Sequence, residues 1–152
     1  MVADYPGFIQ PQLATTRDTA PPGDKWLHEI KFDGYRVQLH VREDKPIVFT
    51  RSGLNWTSKF SAIAAAAVDL PVNHAIIDGE VVVQDAKGRT RFGDLEANIA
   101  GGRTDRMIFY GFDLLYLEGF DIRAAPHQRA FRDGRRQPVR TGLQARSRRY
   151  YQ

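Results

Sequence analysis

The ten residues Ala75–Gln84, AIIDGEVVVQ, constrain this chain more than any others. A run so dense in isoleucine and valine reads as a strand buried inside a sheet, yet Asp78 and Glu80 flank Gly79 at its middle. A carboxylate in an otherwise apolar strand must be paired, hydrated or linked to a metal. The fold therefore has to answer that charge.

The rest of the chain supplies further strands and short helices. Tyr35–Val41 and Pro46–Thr50 are β-like runs around the turn-prone Arg42-Glu43-Asp44-Lys45, which predicts a hairpin. Thr57–Leu70, with the alanine run Ala64–Ala67, predicts a helix ended by Pro71. Ala75–Gln84, continued through Asp85-Ala86-Lys87-Gly88 toward Arg89–Phe92, predicts a second hairpin. Phe92, Leu95 and Ile99 recur at helical spacing before Gly101-Gly102, and Arg106–Tyr116 reads as a final apolar strand. Strands and helices interleave without regular βαβ alternation. The expected class is α+β, mainly antiparallel sheet with flanking helices. Three regions follow: a Pro-, Thr- and Gly-rich extended lead-in over 1–24, a folded domain over 25–123, and a tail over 124–152.

The 152 residues suffice for one domain with a real core, and 42% hydrophobic with 26% charged residues is the balance of a soluble globular protein. No apolar run approaches the roughly 18 residues that cross a bilayer, and Met1–Tyr5 lacks a secretory pattern. A cytoplasmic protein without membrane attachment is expected. With no cysteine and no zinc-like spacing of His28, His40, His74 and His127, any metal should be held by oxygen, as Mg²⁺ is. The formal charge of +4 divides unevenly: residues 1–126 hold 14 Lys+Arg against 17 Asp+Glu, whereas 127–152 hold eight arginines and one aspartate. The basic character belongs to the tail and says nothing about nucleic-acid binding by the folded part.

Ahead of the first hairpin lies Lys31-Phe32-Asp33-Gly34-Tyr35-Arg36. A lysine amine attacks only when neutral, and its ordinary pKa of about 10.4 leaves it protonated unless burial or a nearby cation intervenes. Ile30 and Phe32 give Lys31 apolar flanks. In an extended segment Lys31, Asp33 and Tyr35 share a face, Gly34 admits a turn or a close approach, and Arg36 offers a planar fork suited to phosphate or ribose oxygens. Thr50–Thr57 (TRSGLNWT) follows the hairpin, and Phe109–Tyr116 (FYGFDLLY) carries aromatic faces that stack on a base at about 1–3 kcal/mol each when exposed. Read alone, Arg51 is equally a turn residue, Glu80 a strand charge paired with a core arginine, and Phe112 plain core.

Taken in order, WLHEIKFDGYR, TRSGLNWT, IIDGEVVV and FDLLYLEGFDIR resemble motifs I, Ia, III and IIIa of ATP-dependent DNA ligases, most closely the ligase domain of bacterial end-joining ligases. Phe8–Thr15 resembles their lead-in, and the resemblance covers about residues 6–125. It implies a partial nucleotidyltransferase (ATP-grasp-like) adenylation domain in a bacterial cytoplasm. Lys31 would attack the α-phosphorus of ATP to give a lysyl-AMP phosphoramidate. Glu29 and Ile30 would read the adenine edge, Arg36 and Arg51 contact ribose or phosphate, and Phe112 stack on adenine. Glu80 would hold a ribose hydroxyl and order Mg²⁺ or Mn²⁺, while Asp33 and Gly34 orient the lysine. Nicked or broken duplex DNA is the implied substrate and the end-bridging Ku protein an implied partner. RNA ligases and capping guanylyltransferases share the first motif but fit the WLHEI and TRSG wording poorly.

The chain departs from that pattern after Arg123. There is no EGxV segment (motif IV), no KxK pair (motif V) and no room for an OB domain; all five lysines fall at or before Lys87. The switch to arginine alone suggests a reading-frame change past codon 123, and the coding DNA read in its other frames would refute this by showing no EGxV. Loss of a motif V cation costs about 10²–10³ in rate, so a weak or inactive fragment is expected. The alternative is a nucleotide- or nucleic-acid-binding remnant whose arginines hold phosphates.

Overall fold

The computed structural model describes residues 4–13, 18–19, 22 and 31–124, with the backbone of 143–145. Among the described residues six strands form one sheet: β1 (Tyr35–Arg42), β2 (Ile47–Thr50), β3 (His74–Val83), β4 (Met107–Leu117), β5 (Phe120–Asp121) and β6 (Leu143–Ala145). Their order is β2-β1-β3-β4-β5, with β6 also on β4. Every pairing is antiparallel except the parallel β4–β6 contact. The isoleucine- and valine-rich run takes the centre as β3, between β1 and β4.

Alternation sorts the two faces. On β1, Val37, Leu39 and Val41 enter the core with Val81 and Val83 of β3, beneath helices α1 (Ser61–Ala67) and α2 (Phe92–Ala100). Phe60, Ile63, Ala64 and Ala67 carry α1 onto that core, and Leu95 carries α2. Gly79 and Gly111 lie opposite each other on this face, and the fully buried Phe109 ring crosses the trough they leave. A Cβ added at Gly79 would lie 2.3 Å from that ring and 2.5 Å from the Tyr110 carbonyl oxygen, so no other residue fits there.

The opposite face carries Arg36, Gln38 and His40 across from Glu80, Asp78 and Ile76. The N-terminal segment lies over it. Ile9 N–H donates to Gln38 Oε1 (3.1 Å) and Gln38 Nε2 donates to the Ile9 carbonyl. Tyr5 packs against His40, His74 and Tyr116, and its hydroxyl meets His40 Nδ1 at 3.2 Å. Burial lifts the Tyr5 phenol to about 12 and holds the His40 imidazole down to about 4, so both are neutral near pH 7. A buried neutral network is the form the face tolerates.

The strand expected to be final is followed by β5 and β6, and two further elements differ from the sequence expectation. The helix expected over Thr57–Leu70 is confined to Ser61–Ala67. Its front is committed to the β2 edge: Trp56 N–H donates to the Val48 carbonyl (2.9 Å) and Thr57 Oγ1 accepts from Val48 N–H (3.0 Å). Past Ala67 the bonds tighten to i→i−3 steps from Val68, Asp69 and Leu70 before Pro71. The hairpin expected to run into Arg89–Phe92 reduces to a single Gln84–Thr90 bridge, because Phe92 already starts α2.

Strand β4 is irregular where it passes β3. Ile76 pairs with Tyr116 but Ile77 with Leu114, and Asp78 pairs with Asp113 but Gly79 with Gly111. Leu115 and Phe112 are therefore extra residues, each a β-bulge that bends the strand and re-aims a side chain. Of the tail expected over 124–152, Ala124 and the strand Leu143–Ala145 are described and the remainder lies outside the described residues.

Candidate active site

Arg36 leans diagonally across the sheet to Asp78, one step from Glu80 directly opposite. Its Nε and Nη2 donate to the two Asp78 oxygens at 3.2 and 2.7 Å, a two-pronged ion pair. Asp78 is 2% exposed, so the carboxylate that the apolar strand could not leave alone is Asp78, and the core arginine answers it. The pairing with a core arginine that the sequence suggested for Glu80 is made by its neighbour Asp78. Arg36 Nη1 also donates to the Gln12 carbonyl (2.7 Å), which binds the lead-in to the sheet. The guanidinium lies 5.7 Å from the centre of the Phe112 ring.

With Asp78 so engaged, Glu80 is the carboxylate that reaches the Lys31 loop. Its Oε1 accepts the Gly34 N–H at 3.0 Å, joining residues 46 apart in the chain. Gly34 is required for a reason the sequence only half reveals: a Cβ there would lie 2.2 Å from the Val81 carbonyl oxygen, so the close approach is to β3. Phe32 stacks flat on Tyr110 with centroids 4.2 Å apart and planes 8° off parallel. Gln84 Nε2 in turn donates to the Tyr110 hydroxyl at 2.8 Å. Asp33 turns to the start of α2: its N–H donates to Thr90 Oγ1 (3.1 Å) and its Oδ2 accepts the Phe92 N–H (3.1 Å). That amide is one of the helix donors with no intrahelical partner, and a carboxylate there also meets the positive end of the helix dipole.

Lys31 itself is exposed at the head of this anchored loop. The structure thus sets Lys31 at the head of a loop that Asp33 ties to α2 and Gly34 ties to Glu80, while Arg36 and Phe112 lie beside each other on the sheet. Arg51 stands apart on an exposed turn, where Thr50 Oγ1 accepts the Leu54 N–H (3.1 Å) and the Phe8 ring covers Gly53. Glu29 and Ile30 lie outside the described residues. Of the aromatic residues on β4, Phe109, Tyr110 and Tyr116 are buried, whereas Phe112 at its bulge is only half-buried. Among the described residues no three of His, Asp or Glu converge to hold a metal, and no helix is long and apolar enough to cross a membrane. Two residues escaped the sequence reading: Thr90 and Gln12. Gln12 acts through a main-chain carbonyl, and Thr90 meets a partner 57 positions away, so neither leaves a local signal.

Comparison with known proteins agrees with this geometry. The ATP dependent DNA ligase domain family matches residues 11–144. The multifunctional non-homologous end joining protein LigD of Pseudomonas aeruginosa is 35% identical over 118 residues, 78% of this chain and 14% of that protein. A probable DNA ligase of Mycolicibacterium vanbaalenii is 35% identical over 111 residues, 68% of this chain and 21% of the other. The ligase domain of M. tuberculosis LigD superposes with a TM-score of 0.61 at 33% identity, over 68% of this chain and 34% of that domain. A mycobacterial DNA ligase D complexed with ATP and MES gives the same values. The chain therefore spans only a small part of the length of these relatives.

Proposed function

We propose, since this chain belongs to the ATP-dependent DNA ligase domain family, that its polar sheet face binds ATP and that Lys31 becomes adenylylated as the first step of sealing DNA breaks. The observation that carries this reading is the 3.0 Å bond from Gly34 N–H to Glu80 Oε1, which ties the nucleophile's loop to the charged middle of β3. In the step, the neutral Lys31 Nζ attacks the α-phosphorus. A P–N bond forms, the bond to the oxygen bridging to the β-phosphorus breaks, pyrophosphate leaves with its electron pair, and the amine proton passes to solvent.

The chain's own residues do the positioning. Phe32 on Tyr110 and Asp33 on α2 hold the two residues after Lys31, so the amine is presented from an ordered loop. Phe112, raised from the ladder by its bulge, offers a face to the adenine. Arg51 is placed here as a phosphate contact from its exposed turn, and Glu29 and Ile30 as readers of the adenine edge. Arg36 builds the floor through Asp78, beneath the ribose and phosphate assigned to this face.

Half-buried Glu80, at the charged middle of β3, is the carboxylate this reading assigns to a magnesium or manganese ion shared with substrate phosphates. Such an ion, when bound, neutralises charge on the triphosphate. Nicked or broken duplex DNA is the substrate this reading names, an end-bridging protein of the Ku type its partner, and the bacterial cytoplasm its setting.

The test is the intact mass of the purified chain after incubation with ATP and Mg²⁺ or Mn²⁺, beside Lys31→Ala. An added AMP that vanishes in the variant supports the proposal, and preference for GTP would move the chain to the capping-type enzymes. A second reading is a nucleotide-binding unit without catalysis. In that case the folded chain retains ATP in equilibrium dialysis yet gains no mass.

A further inference from the structure

We propose that Thr90 is a positioning residue for Lys31, acting through Asp33; this rests on Lys31 being the nucleophile. The carrying observation is a reciprocal pair of hydrogen bonds. Asp33 N–H donates to Thr90 Oγ1 at 3.1 Å, and two residues further along, Phe92 N–H donates back to Asp33 Oδ2 at 3.1 Å. Main chain and side chain of Asp33 are thus both held, in two directions, by the segment that opens α2. A residue fixed in this way cannot rotate about its own backbone without breaking a bond, and Lys31 is two residues away.

Thr90 is itself held. The turn before it closes on Asp85, whose Oδ1 accepts the Lys87 and Arg89 N–H groups at 2.8 and 3.0 Å and whose Oδ2 accepts Arg89 Nε at 2.8 Å. Asp85 N–H donates to the Arg89 carbonyl at 3.0 Å, Gly88 turns with φ of +75°, and the Gln84–Thr90 bridge ties the far side to the end of β3. These bonds from Arg89 and Lys87 hold the Asp85 carboxyl below its ordinary range, so the turn is closed at neutral pH. The result is a rigid post that starts at the end of β3, carries the Thr90 hydroxyl, and continues into α2. Gly34, on the other side of Asp33, is fixed to Glu80. The nucleophile's loop is therefore clamped between the charged centre of β3 and the post that follows the same strand, so both clamps derive from one rigid element.

Rate and nucleotide affinity should separate on this account, because Thr90 touches the loop and not the sheet face assigned to ATP. The experiment compares wild type, Thr90→Val and Thr90→Ser in the full chain. Lysyl-AMP formation is followed by mass in single turnovers across ATP concentrations. The Val variant keeps the shape and loses the acceptor; its maximal rate should fall about tenfold, the size of one net hydrogen bond, with the ATP half-saturation unchanged and the Ser variant restored. In parallel, trace acetylation at several pH values reads the reactivity of Lys31 against Lys45 and Lys87. The Lys31 profile alone should change in Thr90→Val and return in Thr90→Ser.

A maximal rate in Thr90→Val within about twofold of wild type, or a Ser variant as slow as the Val variant, overturns the proposal. A shift in half-saturation with the rate unchanged also overturns it. If wild type forms no adduct, the ligase reading fails by itself and acetylation decides: three identical Lys31 profiles overturn the positioning role, and a change confined to Thr90→Val upholds it.

Discussion

Replacing Arg36 with methionine removes the guanidinium that answers a carboxylate water hardly reaches. Asp78 has a side chain 3% exposed against 21% for Arg36. Breaking a buried ion pair from one side typically costs about 3–5 kcal/mol. Solvent reaches the arginine end here, which places the expected loss near about 3 kcal/mol and includes the bond from Nη1 to the Gln12 carbonyl. With a urea slope of about 1.5 kcal/mol/M, the unfolding midpoint should fall by about 2 M. The double variant Arg36→Met with Asp78→Leu removes the stranded charge and should return to within about 1 kcal/mol of wild type. Urea melts followed by tryptophan fluorescence and far-UV circular dichroism give all the required numbers. A single variant that loses less than about 1 kcal/mol, or a double variant no more stable than the single, would refute the idea that Arg36 is there to answer Asp78.

Three further outcomes are expected. Gly34→Ala drives a Cβ against the Val81 carbonyl and pulls the Gly34 amide from Glu80, so lysyl-AMP formation should drop about 10²-fold with a stability loss of about 1–3 kcal/mol; adduct formation at the wild-type rate would contradict this. Phe112→Ala should raise the ATP half-saturation about tenfold or more, the worth of one base stack, while its urea midpoint moves far less than that of Arg36→Met. For His40, a folded-state pKa held near 4 by burial means that the unfolded chain takes up the proton first as pH falls. Its contribution is full above the ordinary value of 6.5, declines from there to about 4 and then levels off, up to about 3 kcal/mol in all. His40→Gln should remove that part of the slope in pH-dependent melts.

The sequence revealed most where a residue's role is local. The β-like run Tyr35–Val41 marked β1, and Phe92, Leu95 and Ile99 at helical spacing marked α2, although Phe92 was also assigned to the hairpin before it. The apolar run around Asp78 correctly demanded a partner. Which carboxylate would receive it was not legible, because Arg36 reaches its diagonal neighbour and alternation alone assigns Asp78 and Glu80 to the same face. The length of α1 was overestimated because alanines signal helix while Trp56 and Thr57 spend their hydrogen bonds on β2. Strand β4 disguised itself more thoroughly. Its bulges leave Tyr110, Asp113 and Tyr116 on one face at steps of three, a spacing that in sequence looks like neither strand nor helix. At the site, motif order pointed to Lys31, Asp33, Gly34 and Glu80; Gly34 meets Glu80 and Asp33 meets α2, but nothing local could have named Thr90.

The two bulges also determine where this sheet can change length. Deleting one residue from a paired strand turns every later side chain to the other face, which for a central strand exchanges core for surface. At Phe112 or Leu115 the same deletion merely regularises the ladder, because the β3–β4 register skips both positions and Asp78 and Ile77 keep the neighbours they already face. Insertions and deletions among chains built on this sheet are therefore expected to gather at those two positions. Phe112 occupies one of them, a place where the strand's register makes no demand and natural selection is left to act on what its ring can do.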